Sequence, residues 1–157
     1  MEPSFEKLLG LLAESRVQFV VVGGVAVTLH GYVRLTDDID LLVSAEASNL
    51  GRLLDALKHF GEGYASELQP SDFDDSEGAV RIVEETESCH VDLFTRMTGR
   101  RYEDVVGDAE VFNLNGLEVR YASKEALIAW KEKSVRDKDR LDALALKKLQ
   151  ADSHAFD

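Results

Sequence analysis

The sequence contains a single cysteine, Cys89, among its 157 residues. One thiol excludes an internal disulfide framework and fits a reducing compartment. No apolar run approaches the roughly 20 residues that a membrane-spanning helix needs. The N-terminus also has no basic region followed by the apolar core of a secretory signal. From these absences we expect a cytoplasmic protein with no membrane partner.

Basic residues are also scarce, since 18 Lys and Arg face 30 Asp and Glu and give a formal net charge of −12 at pH 7. This balance argues against a general nucleic-acid binder, because such proteins usually carry a basic footprint. The charges are unevenly placed, however. Half of the basic residues lie within 120–148, whereas 72–87 carries seven acids and one base, Arg81. Either these segments are solvated surfaces, or the basic one is a helical lobe that faces phosphate.

The most informative stretch contains two short apolar runs separated by glycine. The β-branched run Phe19–Val22 predicts a strand covered on both faces, and it breaks at Gly23-Gly24. A brief apolar helix pattern follows. A second apolar strand then begins with Asp38 and Asp40. The predicted order is therefore strand, glycine turn, helix and acidic strand.

Asp38 and Asp40 point to the same face of their strand, because successive side chains alternate. Burying two carboxylates costs free energy unless cations or donors satisfy them. A solvated strand end is the ordinary explanation for such a pair. Gly23-Gly24 favours another, because backbone N–H groups at a glycine turn that opens a helix can approach a phosphate. A phosphate cradle beside two carboxylates suits a nucleotide with Mg²⁺.

This order of residues resembles a known signature. Gly23-Gly24, thirteen intervening residues and Asp38-Ile39-Asp40 are similar to the motif of the DNA polymerase β-type nucleotidyltransferase superfamily. The resemblance is closer to the small bacterial AbiEii-like nucleotidyltransferases and covers roughly residues 17 to 149. The positions that carry it are Gly23, Gly24, Ala26, His30, Gly31, Arg34, Thr36, Asp38 and Asp40, followed by Lys131, Arg136, Lys138, Asp139 and Asp142.

The resemblance implies a minimal nucleotidyltransferase fold with a third carboxylate on a later, neighbouring strand. Asp92, within the apolar run Cys89–Thr95, fits that place. The resemblance then implies that Asp38, Asp40 and Asp92 are the catalytic carboxylates and hold Mg²⁺ or Mn²⁺. The nucleotide-binding residues that it implies are Gly23, Gly24, Arg34, Thr36, Lys131 and Lys138. From the residues alone, Arg34 either contacts a phosphate or neutralises Asp37.

By the same resemblance, the chain is an enzyme that moves a nucleoside monophosphate from an NTP to a hydroxyl acceptor. The acceptor is an RNA end such as that of tRNA, a protein or a small molecule. An AbiEii-like protein would be the toxin of a toxin–antitoxin pair, with an antitoxin as partner. The alternatives are an antibiotic-modifying nucleotidyltransferase and a catalytically inactive protein that binds a nucleotide or a partner. A partner subunit or a homodimer could complete the acceptor pocket.

Hydrophobic periodicity predicts the other elements. Amphipathic helices cover 4–16 and 49–60, the second capped by Ser48 or Asn49, and a polar loop covers 61–78. The remaining predicted elements are strands Ala79–Thr86 and Cys89–Thr95 joined at Glu87-Ser88, a short helix Arg100–Gly107, a hairpin that turns at Asn115-Gly116, a helix capped by Ser123, and a last helix with Leu141, Leu144, Leu146 and Leu149.

Together these elements predict an α+β fold with a mixed sheet and flanking helices. We expect a single domain, in which 1–122 form the nucleotidyltransferase core, 123–150 its C-terminal helical segment and 151–157 a tail. His30 is predicted to be a hydrogen-bonding residue that shapes a turn rather than a ligand. Trp130 is predicted to be a core residue rather than a base-stacking platform.

Overall fold

Helices and short strands alternate along the chain. The computed structural model describes residues 3–31, 38–61, 67–73, 80–84, 89–132 and 146–148. Its helices are α1 (Pro3–Glu14), α2 (Gly23–Leu29), α3 (Ala47–Leu57), α4 (Tyr102–Val105) and α5 (Lys124–Glu132), with short 3₁₀ turns at Pro70–Asp72 and Val106–Asp108. Its strands are β1 (Phe19–Val22), β2 (Asp38–Val43), β3 (Val80–Glu84), β4 (Cys89–Phe94), β5 (Glu110–Leu114) and β6 (Leu117–Tyr121).

The six described strands form one mixed sheet in the order β3-β4-β2-β1-β6-β5. β2 lies near the centre, antiparallel to β1 and parallel to β4. The outer pairs, β3–β4 and β5–β6, are antiparallel, whereas β6 runs parallel to β1. Parallel neighbours need a crossover connection, and the segment that contains α3 provides the one between β2 and β4. The result is the mixed α+β fold that the sequence predicts.

The hydrophobic core covers both faces of the central strands. All four residues of β1 are buried. On β2, the successive residues Leu41 and Leu42 point to opposite faces, and neither is accessible to solvent. α1 packs against β6 and α3, and α2 packs against β1, β2 and α5. Fully burying a leucine side chain contributes about 1.5–3 kcal/mol relative to leaving it exposed, so these apolar positions hold the sheet in place.

One buried polar side chain joins three segments of the chain. Asn49 accepts a hydrogen bond from the Gln18 N–H at 2.7 Å and donates to the carbonyl oxygens of Gln18 and Ser44 at 3.1 and 2.9 Å. It therefore ties α3 to the residues that precede β1 and follow β2. The predicted cap at Ser48 or Asn49 is wrong, because α3 begins at Ala47. Asn49 lies inside the helix, where its amide satisfies backbone groups that have lost water.

Two local signals after β4 are confirmed. Asn115 and Gly116 have φ angles of 53° and 85°, as a type I′ turn requires, and they join β5 to β6. Ser123 Oγ accepts a hydrogen bond from the Ala126 N–H at 3.1 Å and so caps α5. By contrast, most of the predicted loop 61–78 lies outside the described residues.

Trp130 lies in α5 and belongs to the core, as predicted. Its indole N–H donates to the Met97 carbonyl oxygen at 3.1 Å, and the Arg100 guanidinium lies 5.6 Å from its ring centroid. Beyond α5, Leu146 is buried in a short helical piece. The predicted division into core, helical segment and tail stays a prediction. None of the described helices is long and apolar enough to cross a membrane.

Candidate active site

The predicted carboxylates come from two parallel strands, β2 and β4. In their register, Asp38 lies beside His90 and Asp40 lies beside Asp92. Residues paired in this way point to the same face of a sheet. The structure therefore brings Asp38, Asp40 and Asp92 together on one face, although Asp38 and His90 are 52 positions apart in the sequence.

Arg81 of β3 contacts the most buried of these carboxylates. Its Nε and Nη2 donate to Oδ1 and Oδ2 of Asp92, each at 2.8 Å, and Nη2 lies 3.9 Å from Oδ2 of Asp38. The two-point contact is the strong form of an arginine–carboxylate pair. The hydrogen bond and charge of Asp92 raise the pKa of Arg81, and the charges of Asp38 and Asp40 raise it further. The guanidinium thus lies in the field of all three carboxylates.

Arg81 was not identified from the sequence as a residue of the candidate site. Its position depends on the register in which β3 pairs with β4. A connection at Glu87-Ser88 would place Val83 opposite Asp92. In the structure Glu84 pairs with Cys89 and Arg81 pairs with Asp92. The predicted connection itself lies outside the described residues. The available signal was the single base in an otherwise acidic segment, on the strand that precedes Asp92.

His90 contacts the outermost carboxylate. Its Nδ1 donates to Oδ1 of Asp38 at 2.9 Å. Strand alternation predicts that His90 shares a face with Asp92, and the register of β4 confirms it. The contact with Asp38 could not be predicted, because it depends on the register between β2 and β4.

Gly23 lets the backbone approach Asp40 closely. Val22, the last residue of β1, pairs with Asp40, and Gly23 follows with a φ of +66°, a region that other residues rarely adopt. A Cβ at Gly23 would overlap the Asp40 carboxylate and lie 2.9 Å from its Cγ. The glycine turn and the acidic strand are therefore in direct contact. Gly24 is the next residue of α2, and its carbonyl accepts the hydroxyl of Thr28 at 3.1 Å.

The three carboxylates provide hard oxygen ligands of the kind that Mg²⁺ and Mn²⁺ prefer. Across the residues that the structure describes, no group of three or more His, Cys, Asp or Glu side chains has the spacing to hold a metal ion. Arg81 supplies positive charge at the carboxylates, since it binds both oxygens of Asp92. The donor chemistry of the three carboxylates fits a divalent cation, and in this structure the cation at Asp92 is the Arg81 guanidinium.

His30 connects α2 to the β5–β6 hairpin. Its Nε2 donates to the Ala122 carbonyl oxygen at 2.8 Å, and its Nδ1 lies 3.2 Å from Oε2 of Glu110. Its ring meets Tyr121 edge-on, with centroids 4.9 Å apart. Burial and the neighbouring Glu110 raise the pKa of Tyr121. His30 is thus a hydrogen-bonding residue, as predicted, but its contacts join distant segments of the chain rather than shape a local turn.

The structure does not describe the side chains of the other predicted nucleotide-binding residues. Arg34, Thr36 and Lys138 lie outside the described residues. Lys131 belongs to α5, but its side chain lies outside the described part of the chain. Their contacts with a nucleotide stay predictions.

Comparisons with known proteins agree with this architecture. Residues 3–154 match the family model described as "Nucleotidyl transferase of unknown function (DUF2204)". The chain is similar to the lincosamide antibiotic adenylyltransferase LnuA with lincomycin bound, with a TM-score of 0.66 and 19% identity over 95% of this chain and 98% of that one. It is also similar to ANT(2")-Ia in complex with adenylyl-2"-tobramycin, with a TM-score of 0.54 and 16% identity over 97% and 94%.

At these identities the likeness to solved structures shows the fold alone. A search of curated protein sequences found no match. The family model, however, covers nearly the whole chain, including both strands that carry the carboxylates. This protein therefore belongs to the DUF2204 family and is a nucleotidyltransferase.

Proposed function

We propose that the protein transfers a nucleoside monophosphate from an NTP to a hydroxyl group of a small molecule, with a divalent metal held by its carboxylates. The observation that carries the proposal is the placement of Asp40 beside Asp92, with Asp38 on the same face. The contact between Asp40 and Gly23 supports it, because it sets the glycine turn next to the carboxylates.

Asp38, Asp40 and Asp92 are the residues that would hold Mg²⁺ or Mn²⁺. When bound, the metal supplies charge neutralisation and Lewis-acid polarisation at the transferred phosphoryl group. In the proposed reaction the acceptor hydroxyl attacks the α-phosphate in line, loses its proton to solvent, and pyrophosphate leaves. We assign contacts with the phosphates to Gly23, Gly24, Arg34, Thr36, Lys131 and Lys138.

A small hydroxylated molecule is the acceptor that we favour. The net charge of −12 disfavours the phosphate backbone of an RNA. Both similar solved structures, LnuA and ANT(2")-Ia, are described with a bound antibiotic or its adenylylated product. Neither is close enough in sequence to assign its acceptor to this chain. Their antibiotics are therefore suitable only as test acceptors.

The second candidate is an AbiEii-like toxin that modifies tRNA or a protein and is held by an antitoxin. The observation that favours it is the basic segment 120–148, which carries nine Lys and Arg against five acids. Such a segment would suit an acceptor with phosphates. A homodimer or another partner chain that completes the acceptor pocket is compatible with either candidate.

Label transfer tests the proposal. Each of the four NTPs, labelled at the α-phosphate, is incubated with Mg²⁺, the protein and separate RNA, protein and metabolite fractions, and with lincomycin and tobramycin as defined hydroxylated probes. We expect label in a small-molecule product. Label in the RNA or protein fraction instead would favour the toxin candidate. No transfer, together with no Mg²⁺-dependent nucleotide binding, would overturn the proposal.

Two variants make the result specific. Asp40→Asn removes one carboxylate charge from the site, and we expect it to abolish label transfer. Asp55→Asn is the matched control, because Asp55 is an exposed carboxylate whose described contact is a surface pair with Lys58 at 3.5 Å. It should transfer label at the wild-type rate.

A further inference from the structure

The guanidinium of Arg81 occupies both oxygens of Asp92, at 2.8 Å each. The side chain of Asp92 is 7% exposed, whereas that of Arg81 is 52% exposed. β3, which carries Arg81, lies at one edge of the described sheet. The buried Asp92 carboxylate is thus neutralised by a guanidinium that is half exposed to solvent.

A carboxylate that binds two cations must share its oxygens between them. The fork-shaped guanidinium takes one lone pair on each oxygen of Asp92, so a metal ion would have to bind an oxygen that already accepts a hydrogen bond from Arg81. Two cations at one buried carboxylate also repel each other. Arg81 and a divalent metal therefore compete for Asp92.

We propose that Arg81 is the counter-cation of the metal-free site and must release Asp92 before the three carboxylates bind a divalent metal. The inference rests on the proposed function in that it takes Asp92 as a metal ligand. The inference goes beyond the proposed function because it assigns the control of metal binding to Arg81. Arg81 is a positioning residue in this account, because it acts on the metal through Asp92.

The charges and the geometry both permit this exchange. Removing the partner of a buried charge is strongly unfavourable when nothing replaces it. Here the incoming metal replaces the guanidinium, so Asp92 stays neutralised. Arg81 has a long side chain, half exposed on an edge strand, and it can turn to solvent while its backbone stays paired with β4.

Mn²⁺ binding measures the competition without nucleotide or acceptor. Protein is titrated into Mn²⁺ and the free ion is quantified by its electron paramagnetic resonance signal. We expect Arg81→Gln to bind Mn²⁺ about 5- to 10-fold more tightly than wild type, between the effects typical of exposed and buried ion pairs. Lys58→Gln is the matched control, since it removes one positive charge from the exposed pair with Asp55, and its Kd should equal that of wild type.

A double-mutant cycle separates competition at Asp92 from a general effect of charge. If Arg81 acts by occupying Asp92, the gain from Arg81→Gln falls to about twofold or less in an Asp92→Asn background. A gain of the same size in both backgrounds would overturn the proposal. Arg81→Lys keeps the charge but loses the two-point contact, so we expect it to tighten Mn²⁺ binding by an intermediate amount.

The remaining outcomes are also decisive. Unchanged or weaker Mn²⁺ binding in a folded Arg81→Gln variant would mean that Arg81 stays on Asp92 when metal binds. If Arg81→Gln does not fold, as judged by circular dichroism, Arg81→Lys provides the same test. Absence of Mn²⁺ binding by every variant at millimolar ion would likewise overturn the inference. Tighter Mn²⁺ binding by Arg81→Gln, with neither label transfer nor Mg²⁺-dependent nucleotide binding by wild type, would keep the inference and overturn the proposed function.

Discussion

The two faces of β2 and β4, strands of six residues each, differ in chemistry. One face bears the ionisable residues of the candidate active site, which are Asp38, Asp40, His90 and Asp92. The other face is apolar and at most 1% exposed, and its residues are Ile39, Leu41, Val43, Val91 and Leu93. Stability and chemistry are thus separated by the alternation of side chains along each strand.

The difference explains how a group of like charges can be held together. Three carboxylates on neighbouring positions repel each other and give no reason for the strands to pair. The apolar face does, because a slip of one residue in either strand would move that strand's apolar face to the charged side of the sheet. The buried face therefore sets the register that aligns Asp40 with Asp92.

The largest expected effect comes from changing the charged face alone. Asp40→Asn should lower kcat/KM for nucleotide transfer by at least about 1,000-fold, which is about 4 kcal/mol of transition-state stabilisation. Its free energy of unfolding should stay equal or rise slightly, because one like charge is removed. Steady-state kinetics and urea unfolding measure the two quantities. Full activity in this variant would show that Asp40 is not a site carboxylate.

Changing the apolar face should lower stability much more than activity. Leu41→Ala leaves a cavity at a fully buried position and should lower the free energy of unfolding by about 2–5 kcal/mol. Activity per folded molecule should fall much less than in Asp40→Asn. Urea unfolding measures the change in stability. An activity assay at a urea concentration well below the unfolding midpoint measures the activity per folded molecule. If Leu41→Ala were as stable as wild type but inactive, the conclusion that the apolar face provides stability and the charged face provides chemistry would be wrong.

Gly23→Ala should change stability and metal binding together, because Gly23 follows β1 with a positive φ and lies against Asp40. A left-handed φ costs other residues roughly 1–2 kcal/mol, and the new Cβ must also displace the Asp40 carboxylate. We expect a loss of about 2 kcal/mol in stability together with weaker Mn²⁺ binding. Gly10→Ala is the control, since Gly10 lies in α1 and a Cβ added there would meet no atom within 4 Å. Alanine at that position should stabilise the helix.

The smallest effect concerns Tyr121, which pairs with Val21 at the far side of the sheet. Burial first, and then Glu110, raise its pKa above the ordinary value of 10.0. The folded state therefore keeps the phenolic proton to higher pH than the unfolded state, and stability is lost as pH rises from about 10 through the folded pKa. Tyr121→Phe should flatten this loss in unfolding curves measured from pH 8 to 11. Burial also raises the pKa of Tyr102, so part of the pH dependence of stability should remain in the Tyr121→Phe variant.

Local patterns predicted much of the fold and part of the site. The β-branched run gives β1 with its observed bounds, Asn115-Gly116 gives the hairpin turn, and alternation puts Asp38 and Asp40 on one face. These features depend on residues close in sequence, whose sterics and hydrogen bonds act before the chain is compact. The elements could therefore be inferred without knowing their neighbours.

Contacts between strands could not be predicted in the same way. The roles of Arg81 at Asp92 and of Asn49 between three segments depend on register and on which elements pack together. A shift of two residues in the β3–β4 pairing is enough to replace Arg81 by Val83. Sequence periodicity fixes the face of a residue but not its partner on the next strand.

The long-range pairing of the sheet also sets an order in which the molecule can assemble. Asp38 and His90 are 52 positions apart, whereas His30 and Ala122 are 92 apart. Loop-closure entropy rises with separation, and synthesis delivers β4 well before β6. During translation the acidic strands can pair while the parallel partner of β1 is still inside the ribosome. The emerging chain would then form its charged site before β6 joins the sheet beside β1.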